Sequence, residues 1–300
     1  MRNATTSRKS ISAFGLLSLS LTLTASLVPG ASAFAQPGTT DTVRVTAVEI
    51  PFRLYSGNLV VVKATVGAIK NVNMIVDTGT NPSAISKELA IRLKLTGRSV
   101  SLETLNGPIQ AQSLTVSDIQ LGSFHVSALR VLAQDFATME RNLGVSIGGI
   151  VGLDILGAGP FTIDYQKKTV IFGAAAALRN AVPLASTAPF LTARATVNGQ
   201  QLRLLLDSGT RELLVFRGRL QTAPREAHLD RTSSVFTTGG SAQLSWLRTM
   251  VSLGTSDLGA HKVAIAESDA DLGIDGLLGL AGMGFHRVSF DFEKRHFSWE

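Results

Sequence analysis

The sequence contains no cysteine among its 300 residues. This absence excludes disulfide bonds, a catalytic thiol, and zinc or iron–sulfur centres built on cysteine. The folded protein must therefore be stabilised by the packing of its core. That core can be substantial, because 45% of the residues are hydrophobic and the length suits two medium domains or one large domain.

Long apolar runs are also missing beyond the N-terminus, so no membrane-spanning segment is predicted there. The first 35 residues differ: basic residues at positions 2, 8 and 9 precede an apolar stretch over residues 11–28, and small residues follow at 31–35. This order predicts a signal peptide over residues 1–35. We expect an exported, periplasmic or extracellular protein without stable membrane insertion after cleavage. An uncleaved membrane anchor is the alternative, because the apolar stretch is long for a signal.

Clustered charge is a third feature that the sequence lacks. The formal net charge is +6, but residues 1–35 contain three basic and no acidic residues, so half of the excess belongs to the signal segment. The remaining basic residues are scattered, with neither a stripe nor interleaved aromatic residues. Nucleic-acid binding is therefore not predicted.

Two copies of one motif are present. Residues 73–80 read NMIVDTGT and residues 203–210 read RLLLDSGT, so that an apolar triplet leads each time into Asp, a small hydroxyl residue, Gly and Thr. An apolar–apolar–Gly element follows each copy at nearly the same separation and ends at Gly152 or Gly279. A repeat that keeps its landmarks in order predicts two related lobes.

A third landmark follows in both halves, where Asp164 lies in FTIDY and Asp291 lies in VSFDF. We interpret these aspartates as structural carboxylates at turns. The surrounding chain is rich in β-branched residues and in apolar–polar alternation, which is typical of strands. The clearest strands are predicted over residues 58–66, 114–121, 127–132, 191–197 and 251–265.

One helix is predicted with clear boundaries, with Ser86 as its cap, Glu88 in its first turn and Gly97 at its end. The sequence thus predicts an all-β protein of two related lobes with short helices. Its predicted parts are a signal peptide at 1–35, an N-terminal segment at 36–54, lobe one with the DTGT motif at 55–173, an interlobe connection at 174–188, and lobe two with the DSGT motif at 189–300.

The duplicated motif predicts a pair of carboxylates. A buried strand holds Asp77 or Asp207 at its end, and Gly79 or Gly209 permits the sharp turn that follows. Two carboxylates brought together cannot both ionise easily, so they share a proton. The ionised member can take a proton from water while the protonated member donates to a carbonyl oxygen. This chemistry needs no metal or cofactor.

The pair DTGT and DSGT, each followed by apolar–apolar–Gly, resembles the pepsin and retropepsin superfamily of aspartic peptidases. The stretch DTGTNPSAISKELAIRLKL is especially similar to the bacterial retropepsin-like branch, in which a short helix follows the catalytic loop. The resemblance covers about residues 55–300. It implies two related β-barrel lobes with the active site in the cleft between them. It also implies an aspartic endopeptidase that hydrolyses polypeptides, with Asp77 and Asp207 as its catalytic dyad. Because one chain carries both copies, a monomer is expected.

The same resemblance implies roles for the residues beside the aspartates. Thr78 and Ser208 would each hydrogen-bond across to the opposite loop and join the lobes. Thr80 and Thr210 would donate hydroxyls to the outer carboxylate oxygens, which lowers a carboxylate pKa and favours activity at acidic pH.

The family also covers its cleft with β-hairpin flaps. The candidates for the tips of these hairpins are Asn106 and Gly107 in lobe one, and Gly239 and Gly240 in lobe two. Pepsin-like enzymes carry a tyrosine in the first flap, and neither Tyr55 nor Tyr165 falls there. A catalytically weak or inactive peptide-binding module on the same fold is therefore the alternative function.

Two further motifs are interpreted as structural. Residues 144–148 match the serine-hydrolase pattern G-x-S-x-G, which requires a strand before it and a helix after it. We expect a loop at this position. Asp269, Asp271 and Asp275 resemble part of a calcium loop, but the glycine falls one position early and no glutamate closes the site. We expect an exposed acidic turn here.

Overall fold

The computed structural model describes residues 47–104, 107–187, 190–221, 233–237, 240–267 and 273–300. Strands make up most of this part of the chain, and the few helices are short. The predicted all-β class with two related lobes is confirmed. Both lobes are built from strands in the same order, as expected for two copies of one sequence design.

The strands of the first half begin with a segment that we had assigned to the N-terminal region. They are β1 (Val48–Tyr55), β2 (Leu59–Val66), β3 (Ile69–Val76), β4 (Ala84–Ser86), β5 (Arg98–Thr104), β6 (Gly107–Leu121), β7 (Phe124–Gln134), β8 (Gly149–Val151), β9 (Phe161–Asp164) and β10 (Thr169–Phe172). The helices of this half are α1 (Lys87–Arg92), α2 (Ala137–Leu143) and α3 (Leu153–Leu156).

The second half repeats the plan with short 3-10 turns, Arg217–Arg219 and Leu280–Met283, in place of helices. Its strands are β11 (Asn180–Pro183), β12 (Ala185–Thr187), β13 (Phe190–Val197), β14 (Gln200–Asp207), β15 (Leu213–Phe216), β16 (Ser233–Thr237), β17 (Gly240–Leu253), β18 (Ser256–Ala266), β19 (Gly276–Gly279), β20 (Arg287–Asp291) and β21 (His296–Trp299).

The two lobes have the same strand order. Lobe one runs β1-β2-β3-β8-β4-β7-β6-β5, and lobe two runs β12-β13-β14-β19-β15-β18-β17-β16. Additional pairing of β2 with β6, and of β13 with β17, closes each sheet on itself. Closure satisfies the backbone groups that an open sheet would expose at its edges. The repeat seen in the sequence is therefore a repeat of a closed sheet.

A shared sheet joins the two halves of the chain. It runs β11-β21-β20-β9-β10-β1 and is antiparallel throughout, with β9 of the first half paired to β20 of the second. Its stacked aromatic rings include Phe161 and Phe290, whose centroids are 4.6 Å apart. The two-lobe division predicted from the sequence did not contain this sheet, because strands of both halves contribute to it.

Buried apolar side chains form one large cluster that includes residues from both lobes and from the shared sheet. Two smaller clusters lie one in each lobe. The cluster of lobe one contains Leu59 and Ile75, and that of lobe two contains Phe190 and Leu205. These pairs occupy matching strands, because β2 corresponds to β13 and β3 corresponds to β14.

Helix α1 begins where the sequence predicts and ends earlier. Ser86 caps it by accepting a hydrogen bond from the Leu89 backbone N–H, but the helix stops at Arg92 with Leu93 as its C-cap. Lys94 then takes a positive φ of 54°. Gly97 does not terminate the helix; it passes so close to β6 that a Cβ there would lie 2.1 Å from the Ser113 carbonyl oxygen.

No helix among the described residues is long and apolar enough to cross a membrane.

Candidate active site

Each motif aspartate lies at the end of a buried central strand. In lobe one, β3 pairs in parallel with β8, and the Asp77 backbone N–H donates to Val151 O at 3.0 Å. In lobe two, β14 pairs in parallel with β19, with Asp207 opposite Gly279. A strand with neighbours on both sides is rigid, so each carboxylate has a fixed position.

The apolar–apolar–Gly elements require glycine because a side chain at that position would clash with the neighbouring backbone. A Cβ at Gly152 would lie 2.5 Å from Thr80 O, and one at Gly279 would lie 2.4 Å from the Arg211 carbonyl carbon. In both lobes the chain that follows the aspartate therefore packs directly on this glycine. The apolar–apolar–Gly element of each lobe thus supports the loop that follows the motif aspartate.

Thr78 and Ser208 join the two loops by four reciprocal hydrogen bonds. Thr78 Oγ1 donates to Leu206 O at 2.7 Å, and Ser208 Oγ donates to Val76 O at 3.0 Å. Each hydroxyl oxygen also accepts from the backbone N–H of the other residue, at 3.0 Å in both cases. All of these groups are buried, so the network holds the lobes together at the site.

The two carboxyl groups interact with each other, and each residue is only 2% exposed. They fill the space beside the opposite glycine. A Cβ at Gly79 would lie 2.8 Å from Asp207 Cγ, and one at Gly209 would lie 2.7 Å from Asp77 Cγ. We had attributed these glycines to unusual backbone angles, but neither has a positive φ. The opposite carboxyl group is what excludes a side chain.

Local donors surround each carboxylate in the same way. Asp77 Oδ1 accepts from the Gly79 N–H and its Oδ2 accepts from Thr80 Oγ1, both at 2.8 Å. Asp207 Oδ1 accepts from the backbone N–H of Gly209 at 2.7 Å and of Thr210 at 3.0 Å, and its Oδ2 accepts from Thr210 Oγ1 at 2.8 Å. The structure thus brings together all eight residues of the two Asp-(Thr/Ser)-Gly-Thr motifs.

Burial determines the direction of both pKa shifts. The pKa of Asp77 is raised well above its usual value, first by desolvation and then by the charge of Asp207. The pKa of Asp207 is also raised by desolvation, although hydrogen bonds from Thr210, Gly209 and Asp77 act against the rise. The donated bonds lower the pKa as predicted, but loss of solvent outweighs them. Because the two carboxyl groups interact strongly, they titrate as a pair that shares one proton.

Asn58 is a site residue that sequence reasoning missed. It is fully buried between β1 and β2, and its Nδ2 donates to Gly209 O at 2.9 Å. This contact ties lobe one to the dyad loop of lobe two. The only signal was its position at the start of a predicted strand, which does not distinguish a buried amide from a turn residue.

Tyr165 is not a flap residue, yet it lies close to the dyad. Burial raises the pKa of its phenol, and the charge of Asp207 adds to the rise. Within the described part of the chain its hydroxyl is buried and has no hydrogen-bond partner. It lies in the turn between β9 and β10 of the shared sheet.

A polar pair of buried Ser83 and half-buried Asp154 supports the loop of lobe one. Asp154 accepts from Ser83 Oγ at 2.5 Å and from the Ser83 backbone N–H at 2.9 Å, and Ser83 Oγ accepts from the Gly152 N–H at 2.8 Å. Lobe two has Leu213 and Ala281 at the matching positions of its motif.

Two hairpins stand where flaps were predicted. β5 pairs with β6 up to Thr104 opposite Gly107, and β16 pairs with β17 up to Thr237 opposite Gly240. The predicted tip residues Asn106 and Gly239 lie outside the described residues. Gly107 and Gly240 begin the returning strands, and their role as flap residues stays a prediction.

The remaining motifs have structural surroundings. Residues 144–148 follow helix α2 and lead into β8. This order is the reverse of the strand–turn–helix that a nucleophilic serine requires. The Ser146 hydroxyl donates to Glu140. Asp164 Oδ1 and Asp291 Oδ1 each accept from the backbone N–H three residues later, at Lys167 and Lys294. Both are turn carboxylates, as interpreted from the sequence.

The calcium-like run lies partly outside the described residues, which do not include Asp269 and Asp271. Asp275 Oδ2 accepts from the Arg203 backbone N–H at 2.8 Å. In the described ranges, no cluster of three or more acidic or histidine side chains could hold a metal ion.

Comparison with known proteins agrees with this geometry. Residues 62–155, which contain Asp77 and Gly152, match the sequence model of a family described as aspartyl protease. No curated protein matches the chain. Among solved structures, the aspartic proteinase from Irpex lacteus is similar, with a TM-score of 0.54 and 14% identity over 85% of this chain and 97% of that chain.

These findings establish the fold and a partial family match. The chain has the aspartic proteinase fold over most of its length, and its first lobe matches the aspartyl protease family in sequence. The predicted resemblance to the aspartic peptidase superfamily is confirmed.

Proposed function

We propose that the protein is an aspartic endopeptidase that hydrolyses peptide bonds of extended polypeptides, with Asp77 and Asp207 as its catalytic residues. The observation that carries the proposal is the buried pair of carboxyl groups contributed by the two lobes, each packed against the glycine of the opposite loop. The family match within lobe one and the fold of most of the chain support it.

The reaction follows from the protonation of the pair. Asp207, ionised, takes a proton from a water molecule as the water oxygen adds to the carbonyl carbon. Asp77, protonated, donates its proton to the carbonyl oxygen, which gives a tetrahedral diol. Asp207 then gives the proton that it took from water to the amide nitrogen as the C–N bond breaks. One hydroxyl of the diol returns its proton to Asp77 as the carbonyl re-forms, which restores the starting state of the dyad. The hydrogen bonds from Thr80 and Thr210 fix the orientation of the two carboxyl groups.

The singly protonated state also sets the pH range of activity. Activity is lost at low pH when Asp207 becomes protonated, and at high pH when the shared proton leaves. Because burial raises both pKa values, we expect the bell-shaped profile to be displaced upward from the range of two ordinary aspartates.

The test is the variant pair Asp77→Asn and Asp207→Asn, each assayed for cleavage of a denatured protein across about pH 3 to 8. Loss of the base or of the acid should reduce turnover by at least about 100-fold. Asp291→Asn, which alters a turn carboxylate of the shared sheet, is the matched control and should retain activity. Turnover at the wild-type rate in either dyad variant would overturn the proposal.

The alternative of a peptide-binding module without catalysis is separated by one further measurement. Pepstatin mimics the tetrahedral intermediate, so tight binding together with inhibition of cleavage supports an enzyme. Binding of peptides by a wild-type protein that cleaves none of them would favour the module. The absence of tyrosine from residues 98–113 motivates this comparison.

Export of the protein is proposed on the sequence of residues 1–35, which has the basic start, apolar stretch and small residues of a signal peptide. Expression of the full chain in a bacterial host, followed by mass determination of the protein in each compartment, tests this. We expect a product shortened at residue 33 or 35 outside the cytoplasm. A full-length product retained in the membrane would indicate an anchor.

A further inference from the structure

Arg211 directly follows the second motif and reaches from lobe two towards lobe one. Its Cγ lies 3.5 Å from the position that a Cβ of Gly282 would take, so the stem of the side chain packs on the lobe-two support element. Its Nη1 lies 3.9 Å from the corresponding position at Gly57, in the turn between β1 and β2 of lobe one. The side chain therefore bridges the two lobes beside the dyad loop.

The distance of Arg211 from the dyad can be bounded. A Cβ at Gly209 would lie 2.7 Å from Asp77, and Arg211 is two residues further along. Two residues of chain span at most about 7 Å, which places the Arg211 Cα within roughly 12 Å of the carboxyl pair. An extended substrate peptide advances about 3.3 Å per residue. The Arg211 Cα is therefore no further from the dyad than a substrate residue about four positions from the bond that is cleaved.

The turn that faces Arg211 offers open space. Gly57 has no side chain, and its φ of 77° favours glycine. Arg211 itself is exposed, and within the described part of the chain no carboxylate forms an ion pair with it. A guanidinium with a packed stem and free donors is suited to bind a carboxylate in a bidentate manner.

The neighbouring carboxyl group does not neutralise this charge. Glu212 is half-buried, and its buried Oε2 has no hydrogen-bond partner among the described residues. Glu212 also interacts with a second cation, Lys262. Burial raises the pKa of Glu212, while the charges of Arg211 and Lys262 lower it. Lys262 lies over the ring of Trp246, 4.1 Å from the centroid. Two cations of lobe two, Arg211 and Lys262, therefore interact with one partly desolvated acid.

We propose that Arg211 is a specificity-determining residue that selects substrates with an acidic side chain within about four residues of the cleaved bond. The proposal rests on the proposed peptidase function, because it assumes that an extended peptide lies across the dyad. Binding of an Asp or Glu side chain to the exposed guanidinium at the cleft edge should improve substrate capture, and thus KM, more than the chemical step.

The test uses peptides that span a bond which the wild-type enzyme cleaves in a denatured protein. Asp replaces Asn at one position at a time, over four residues on each side of the bond. The ratio of kcat/KM between the Asp and Asn peptides is measured for wild type, Arg211→Gln and Arg211→Glu. Arg92→Gln, in the exposed last turn of α1, is the charge-matched control.

We expect the wild type to favour Asp by about 3- to 10-fold at one or two positions, which is the range of a partly exposed ion pair. Arg211→Gln should abolish the preference, Arg211→Glu should reverse it, and Arg92→Gln should retain it. A wild type without preference, or a preference that persists in Arg211→Gln, would overturn the inference.

The affinities of the Asp and Asn peptides are also compared for binding to the Asp77→Asn variant, with and without Arg211→Gln. This measurement separates the proposal on Arg211 from the proposal that the protein is a peptidase. Absence of all cleavage by the wild type would overturn the peptidase proposal, while the binding ratio would still report on Arg211.

Discussion

At the scale of single residues, the hydroxyl of Thr78 makes two buried hydrogen bonds between the lobes. Thr78→Ala would leave Leu206 O and the Ser208 N–H without partners. Each buried unsatisfied group costs about 1 to 3 kcal/mol, so we expect a loss of roughly 2 to 4 kcal/mol in the free energy of unfolding. Urea denaturation measures this loss.

Thr78→Ser is the control, since it keeps the hydroxyl and removes one methyl group. The Ser at position 208 shows that serine can make the same bonds. If Thr78→Ala and Thr78→Ser are equally stable, the hydroxyl network does not join the lobes.

The raised pKa of Asp77 predicts a pH-dependent stability. A carboxyl group with a higher pKa in the folded state binds its proton more tightly there, so its contribution to stability is present below the unfolded pKa and is lost as pH rises through the folded pKa. Asp77→Asn removes this titration. We therefore expect the Tm of Asp77→Asn, relative to wild type, to rise by several degrees between about pH 4 and pH 7. Parallel Tm curves for the two proteins would contradict the raised pKa.

Sequence patterns predicted which residues meet at the site but not the balance of forces there. The duplicated motif placed Asp77 and Asp207 together, because two equal strand–turn units can face each other only around an axis between them. The pKa direction was not predictable, since burial depends on residues from both lobes. The role of Gly79 was also misread, because the group that excludes its side chain lies 128 residues away in sequence, at Asp207.

At the scale of elements, the loop after the dyad strand is supported differently in each lobe. Buried Ser83 and half-buried Asp154 form a polar pair in lobe one, whereas Leu213 and Ala281 occupy the matching positions of lobe two. The Gly152 N–H donates to the Ser83 hydroxyl, while the matching Gly279 N–H donates to the backbone carbonyl of Glu212 at 3.2 Å. Such exchanges are tolerated when both partners change together.

This comparison predicts a coupling between two positions. Ser83→Leu alone removes the hydroxyl donor of Asp154, and Asp154→Ala alone leaves the Ser83 hydroxyl and backbone N–H without their acceptor. Each single change should cost about 2 to 3 kcal/mol, while the double variant should cost at least about 1 kcal/mol less than the sum. Chemical denaturation of the four proteins gives the coupling energy. Simple additivity would show that the pair does not act as a unit.

Elements with local signals were predicted and elements without them were missed. The strand pattern and the Ser86 cap predicted β2 and the start of α1. Helix α2 has no side-chain cap hydrogen bond, buries none of its residues and ends at Gly144, so its sequence offered little amphipathic signal. Gly97 was read as a helix end because a glycine required by a neighbouring strand has the same appearance in sequence as a capping glycine.

At the scale of the whole molecule, the shared sheet makes the two lobes interdependent. The pairing of β9 with β20 joins segments more than 100 residues apart, and no local pattern specifies such a partner. The sequence showed that Asp164 and Asp291 repeat between the halves, and the structure shows that the strands bearing them are neighbours. An internal repeat therefore identified equivalent strands without revealing that they pair with each other.

The shared sheet predicts that the protein unfolds as one cooperative unit. Phe290 is fully buried and stacks on Phe161 across the β9–β20 pair, so Phe290→Ala should reduce the free energy of unfolding by about 3 to 5 kcal/mol. Trp299 reports on the shared sheet and Trp246 on lobe two, and single-tryptophan variants separate their fluorescence signals. Because the sheet connects both lobes, we expect Phe290→Ala to lower both denaturation midpoints equally. A shift seen by Trp299 alone would mean that lobe two folds independently, and the dyad geometry would then not depend on the sheet.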